Sequence, residues 1–275
     1  MFNIRTDLAL ESTELYRETA NKEAPGIEVE TEEGDNYTVT RIKIVDENSS
    51  EKLGKPKGTY ITIEVPGLKN TDQDLKDEIS QLVAKEIKGL GRNNENTKTL
   101  IVGLGNWNIT PDALGPKVVD RVLVTRQYFI AYKKDRDETV ANVSAISPGV
   151  MGLTGIETGE IVKGIVEKTR PDLVIAIDSL AARKMNRVST TIQIADTGIS
   201  PGSGVGNKRI GLTEEYLGVP VIAIGVPTVV DAATMVNDTM DMIISSMREQ
   251  AQVGTDFYSM LENISNEEKY QLIRE

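Results

Sequence analysis

Three short apolar runs, each ending in a glycine or a carboxylate, restrict the fold more than any other feature of the chain. Leu173-Val174-Ile175-Ala176-Ile177 is unbroken by a polar residue and is followed by Asp178. Thr99-Leu100-Ile101-Val102 runs into Gly103, and Val221-Ile222-Ala223-Ile224 into Gly225. Runs of this length without polar alternation predict strands covered on both faces, as in a parallel sheet. Amphipathic stretches separate them. Leu75, Ile79, Leu82, Val83 and Ile87 recur at helical spacing behind a Thr71 cap, with Asp74 at the capping-box position and Gly89 and Gly91 closing the helix. Residues 160–169 and 232–250 also read as helices. Apolar strands alternating with helices predict an α/β protein, a three-layer α/β/α sandwich around a mostly parallel central sheet.

Elsewhere the pattern is weaker. Residues 37–45 and 59–65 alternate apolar and polar at period two, which predicts two half-buried strands joined by a loop over 47–58. They form an N-terminal hairpin that either extends the sheet or makes a side lobe. Residues 11–22 are polar and helical in pattern, and read as a frayed terminus. Residues 127–132 suggest a short strand, and 133–138 a solvated charged loop. Met235, Met242 and Met247 read as core filling. Residues 257–275 are amphipathic enough for a docked helix.

Composition removes whole classes of chemistry. The 275 residues include no cysteine and no histidine. Catalysis by Cys-His or Ser-His-Asp is therefore excluded, as is a zinc site of the usual ligands. Asp, Glu, Lys and Tyr remain as acid-base groups, with a Ser-Lys or Thr-Lys pair and a carboxylate-bound Mg or Ca ion still open. A formal charge of −11 argues against nucleic acid as the main partner. No run is long enough for a membrane span, and no secretory signal opens the chain, so the reading is cytoplasmic.

The stretch Gly103-Leu104-Gly105-Asn106-Trp107-Asn108-Ile109-Thr110-Pro111-Asp112-Ala113-Leu114-Gly115-Pro116 follows the first apolar run and holds the only tryptophan. Thr110 reads as a helix N-cap with Pro111 at the first helical position, so Asp112 lies in the first turn beyond a strand's carboxyl end. Asp178 lies just past the end of another strand. Ligands bind at that edge of an open α/β sheet. Two carboxylates meeting there could have their pKa values pushed apart, one activating a water and the other protonating a leaving group. The same residues also read as a helix-start aspartate and a helix cap. Arg183 and Lys184 could stabilise charge on an attacked carbonyl, or could be a solvated face. Glu157 and Asp231 are further carboxylates near strand ends. Gly103 and Gly105 begin a dinucleotide-like pattern that Asn108 breaks. The loop 196–208 could cradle an anion, or be a flap or an ordinary loop, and Asp196-Thr197-Gly198 has no second copy to pair with.

Four segments together resemble the spore germination proteases of endospore-forming bacteria. They are Arg5-Thr6-Asp7-Leu8-Ala9, the 103–116 stretch, Ser147-Pro148-Gly149-Val150-Met151-Gly152, and Ala176-Ile177-Asp178-Ser179-Leu180-Ala181-Ala182-Arg183. The resemblance implies an endopeptidase that degrades small acid-soluble spore proteins. It implies a self-processing zymogen of the developing spore, a homotetramer, and a fold like that of the hydrogenase-maturation proteases. It places the catalytic aspartates on Asp112 and Asp178, and such a carboxylate pair can supply both the activated water and the proton with no cofactor and no metal. Cleavage after an acidic and before a hydrophobic residue, carried onto Thr6-Asp7-Leu8-Ala9, makes residues 1–7 a propeptide, short for the family, and 8–275 one peptidase domain. The rival readings are a carboxylate-metal hydrolase and a non-catalytic anion-binding protein.

Overall fold

The computed structural model describes residues 6–20, 25–70, 72–91, 96–132, 140–200, 209–230 and 232–250. In chain order the elements are α1 (Ala9–Ala20), β1 (Ile27–Glu33), β2 (Thr38–Ile44), α2 (Glu47–Leu53), β3 (Gly58–Glu64), α3 (Gln73–Gly89), β4 (Lys98–Gly103), α4 (Leu114–Arg121), α5 (Arg126–Tyr132), β5 (Asn142–Ile146), α6 (Met151–Thr154), α7 (Thr158–Thr169), β6 (Leu173–Ala182), β7 (Thr191–Ala195), α8 (Glu214–Leu217), β8 (Val221–Val230) and α9 (Ala232–Gln250).

The three apolar runs form β4, β6 and β8, neighbours in one eight-stranded sheet ordered β1-β2-β3-β7-β8-β6-β4-β5. From β5 to β8 every pairing is parallel. From β8 outward through β7, β3, β2 and β1 every pairing is antiparallel. The sheet is therefore mixed, not mostly parallel. The early strands continue it through β3 and β7, so there is no separate hairpin lobe among the described residues. Nor are β2 and β3 half-wet. Ile61 and Ile63 pack with Ile79 and Leu82 of α3 on one face, and Tyr60 and Ile42 pack with Ala9 of α1 on the other. Farther along, α7 and α8 bring Val162, Val166 and Leu217 against Leu100, Val102, Val174 and Val221. Burial of each such aliphatic side chain contributes on the order of 2 kcal/mol.

Several local expectations are corrected. The N-terminal segment is docked, because Glu11 is fully buried and its carboxylate accepts the Arg183 and Lys184 backbone N–H groups at 2.6 and 2.9 Å. It also accepts the Thr6 hydroxyl. The 47–58 connection contains α2, started by Asp46, which accepts the Ser49 N–H, and stopped by Gly54. Helix α3 is capped by Asp72, which accepts the Leu75 N–H at 3.1 Å; Thr71 lies outside the described residues. Residues 127–132 are helical, since Thr125 O accepts the Tyr128 and Phe129 N–H groups and turns the chain. Met235, Met242 and Met247 are exposed, not core: α9 packs beside the 185–187 turn. Residues 133–138 and 257–275 lie outside the described residues. No described helix is long and apolar enough to cross a membrane.

Candidate active site

The site arises because neighbouring strands end at different heights. β4 stops at Gly103, opposite Ile177 of β6, while β6 and β8 run on together to Ala182 and Val230. This leaves a step in the sheet. Asp178 is the first β6 residue past it, paired with Gly225. It is therefore inside a strand, not beyond one as the sequence suggested.

The 103–116 stretch folds over the end of β4 and fills part of the step. Leu104 N–H bonds to Ile177 O at 2.8 Å. The chain turns at Gly105, whose φ of 108° lies where side chains are strained, and where a Cβ would strike the main-chain oxygen of Asp112. Asn106 N–H then donates to both Asp112 O, at 3.0 Å, and Asp112 Oδ2, at 2.8 Å. Asp112 closes the short 3-10 turn Thr110–Asp112, with Pro111 at its start and Ile109, not Thr110, in the capping position. Thr228 of β8 pins that turn from the far side by donating to Pro111 O at 2.6 Å. Gly115, near the start of α4, lies so close to Leu104 and to Ile177 O that a Cβ there would collide with both.

Asp112 and Asp178 thus line one cleft of about 530 Å³, together with Asp7, Lys55, Tyr60, Gln193 and Arg209. Asp178 is only 5 % exposed. Burial, and then the negative charges of Asp112 and Asp7, raise its pKa to about 7, against the Ser179 N–H bond that lowers it. Burial raises the Asp112 pKa as well, opposed by the Asn106 N–H. The cleft therefore holds one deeply buried carboxyl that keeps its proton far more readily than in water, beside a second that is only half-buried.

The other sequence candidates lie differently. Arg183 and Lys184 do not line this cleft: their cations go to α1, Arg183 to Glu18 and Lys184 to Glu14, each at 2.8 Å. Arg187, which the sequence did not single out, completes that network with Glu14 and Glu64 at 2.7 and 2.8 Å. Glu157 is the residue before α7 and pairs with Arg209 at 3.3 Å, holding that cation at the cleft wall. Asp231 lies outside the described residues, as does most of the 196–208 loop. Among the described residues no group of three or more carboxylates could hold a metal ion.

Asp7 lines this cleft, and Leu8 after it turns into the core. Asp7 N–H donates to Ala181 O at 3.0 Å and Ala181 N–H to Asp7 Oδ2 at 2.8 Å, so the segment lies along the projecting end of β6. Leu8 is fully buried against Leu180 and Ala182, with Val188 and Ile199 around them. Lys55, Tyr60 and Gln193 had no sequence signal. They come from a turn and two antiparallel strands that only the tertiary fold brings to this edge.

The sequence matches known proteins over almost its whole length. The sequence model of the family described as germination protease matches residues 5–273. A germination protease of Caldanaerobacter subterraneus is 51 % identical over 275 residues, covering 100 % of this chain and 84 % of the relative. One of Clostridium perfringens is 51 % identical, covering 100 % and 85 %. One of Bacillus mycoides is 50 % identical over 259 residues, covering 92 % and 70 %. With a full-length family match and half its residues shared with these relatives, the chain belongs to the germination protease family and is a protease.

Proposed function

We propose that this protease begins the breakdown of small acid-soluble spore proteins at germination, using Asp112 and Asp178 as its acid-base pair. In the same reading it is a three-layer fold related to the hydrogenase-maturation proteases. It is made as a zymogen in the developing spore, acts in the spore core, and assembles as a homotetramer. It cuts its own chain between Asp7 and Leu8. The observation that carries the reading is that two carboxyls distant in sequence line one cleft, and that burial raises the proton affinity of the deeper one.

The chemistry follows from that difference. Near neutral pH Asp178 keeps a proton on a large fraction of molecules, and the half-buried Asp112 takes the part of the base. Asp112 takes a proton from water as the water oxygen attacks the peptide carbonyl carbon. Asp178 gives its proton to the leaving nitrogen. General acid-base assistance of this kind contributes typically about 10²–10⁴-fold per step. The preference for an acidic residue followed by a hydrophobic one is supported by the chain's own segment: the Asp7 carboxylate accepts a main-chain N–H, and Leu8 fills an apolar pocket.

Mass spectrometry of the incubated chain, with a peptide containing Thr-Glu-Ile-Ala supplied alongside, tests the reading. Wild type should release Met1–Asp7 and cut the peptide after glutamate, with or without a chelator. Asp112→Asn and Asp178→Asn should each lose both activities, by about 10³-fold or more, while still melting cooperatively. Near-normal activity in either variant removes that residue from the mechanism.

A further inference from the structure

The carbonyl of the Asp7–Leu8 bond is held by two side chains from separate elements. Lys55 Nζ, from the turn after α2, donates to Asp7 O at 2.8 Å. Gln193 Nε2, from β7, donates to the same oxygen at 3.1 Å. Each residue also grips a neighbouring peptide group. Lys55 Nζ reaches Thr6 O at 3.2 Å, and Gln193 Oε1 accepts the Ala9 N–H at 2.7 Å. The segment is thus fixed on both sides of one bond, and the two donors converge on the oxygen of that bond. Both line the cleft of Asp112 and Asp178.

Two convergent donors fill both lone pairs of this carbonyl oxygen, and one of them is cationic, which a neutral carbonyl does not require. They suit an oxygen that becomes negatively charged. Holding an ammonium there has a cost: burial lowers the Lys55 pKa, and only the Asp7 and Glu11 carboxylates oppose the shift. A tether for the N-terminal segment would not require a charge at that point, because the Asp7–Ala181 bonds and Glu11 already dock it.

We propose that Lys55 and Gln193 are the oxyanion donors of this protease, binding the carbonyl oxygen of the scissile bond in its own leader and in substrates that take the leader's place. The proposal rests on the reading that Asp7–Leu8 is the bond cut. When water oxygen bonds to the Asp7 carbonyl carbon, the π electrons of the carbonyl move onto its oxygen. One carboxylate of the aspartate pair has taken the water's proton. The oxyanion is stabilised by Lys55 Nζ and Gln193 Nε2 until its electrons return and the C–N bond breaks. The Leu8 nitrogen receives the other aspartate's proton. The products are the Asp7 carboxylic acid and the Leu8 amine, with no other reactant consumed. Such donors act mainly on the transition state, and loss of one lowers the rate by about 10²–10³-fold.

The test uses Lys55→Met, which keeps the stem but not the charge, and Gln193→Glu, which keeps an oxygen for Ala9 N–H but replaces the donor with an acceptor. First-order release of Met1–Asp7 from the full chain is followed by mass spectrometry. Amide exchange at Asp7 and Ala9 is measured with each substitution combined with Asp178→Asn, which keeps the chain uncut. The expected result is a release rate about 10²–10³-fold lower in each variant, with Asp7 and Ala9 as protected as in Asp178→Asn alone. Release within threefold of wild type overturns the proposal. So does a slow rate accompanied by lost protection, which would make the two residues tethers. If Lys55→Met has no cooperative melting transition, Gln193→Glu decides. Wild type that releases a fragment other than Met1–Asp7, or none, refutes the processing-site reading and this proposal with it. Release of Met1–Asp7 at the wild-type rate by both variants refutes this proposal alone.

Discussion

Replacing Asp178 with asparagine should make the protein more stable at alkaline pH, and the gain can be worked from the structure. In an unfolded chain this carboxyl titrates at its ordinary value of 3.8; in the folded chain it titrates at about 7. Below 3.8 both states hold the proton and no penalty exists. Between the two values the folded state keeps a proton that the unfolded state has lost, so stability falls as pH rises. Each pH unit in that window costs about 1.4 kcal/mol, and the full cost approaches about 4 kcal/mol above pH 7. The group is nearly fully buried, so little of this is screened by solvent. Asparagine cannot ionise and escapes the cost. Urea unfolding of wild type and Asp178→Asn at pH 4, 6 and 8, followed by far-UV circular dichroism, reads the difference directly. The variant's advantage should grow by about 2–4 kcal/mol from pH 4 to pH 8 while its proteolysis is abolished. A gap that stays constant with pH would refute the reasoning, because it would mean that Asp178 ionises in the fold as it does in water.

Two further outcomes follow from the same map of charges. A carbon-13 carboxyl titration by NMR should find the Asp178 midpoint lowered by Asp112→Asn, and lowered less by Asp7→Asn, because both charges help to raise it and Asp112 contributes more. No movement in either variant would separate the groups. Arg187→Met should destabilise the chain by about 3 kcal/mol in chemical denaturation, since it strands Glu14 and Glu64 around a site where Arg187 is almost wholly buried. In that variant the Glu14 pKa should climb from about 2, where Arg187 and Lys184 hold it against the upward push of burial.

The parallel half of the sheet was legible because its signal is local: a strand buried on both faces must be apolar throughout, and β4, β6 and β8 are. The antiparallel half misled because β2 and β3 alternate like half-wet strands, yet their second face is covered. Thr62 is fully buried, and of the β2 residues Lys43 alone is exposed. The docking of α1 was illegible for another reason. Glu11 looks like a solvent residue, and what buries it is a set of backbone N–H groups more than 170 positions away. Arg183 and Lys184 were misjudged by the same omission, since their acidic partners lie on α1. The aspartates could be singled out because glycine, proline and strand-end signals surround them. Lys55 and Gln193 have no such neighbours.

The position of the Asp7 segment connects these points. Asp7 occupies the main-chain edge that β6 offers beyond the end of β4, through Asp7 N–H to Ala181 O and Ala181 N–H to Asp7 Oδ2. On the proposed function an extended substrate takes that same edge. On the proposed reading, cutting after Asp7 removes those two bonds and the Lys55 and Gln193 bonds to Asp7 O. It leaves untouched the elements that hold α1: buried Leu8, the Ala9 N–H on Gln193, and Glu11 on the Arg183 and Lys184 amides. The break therefore falls between a segment whose contacts are those of a substrate and a helix whose contacts are those of the fold. On that same reading, release of Met1–Asp7 frees the Asp7 position in the cleft without unseating α1, so one short segment serves as the enzyme's first substrate and, until it is cut, as its inhibitor.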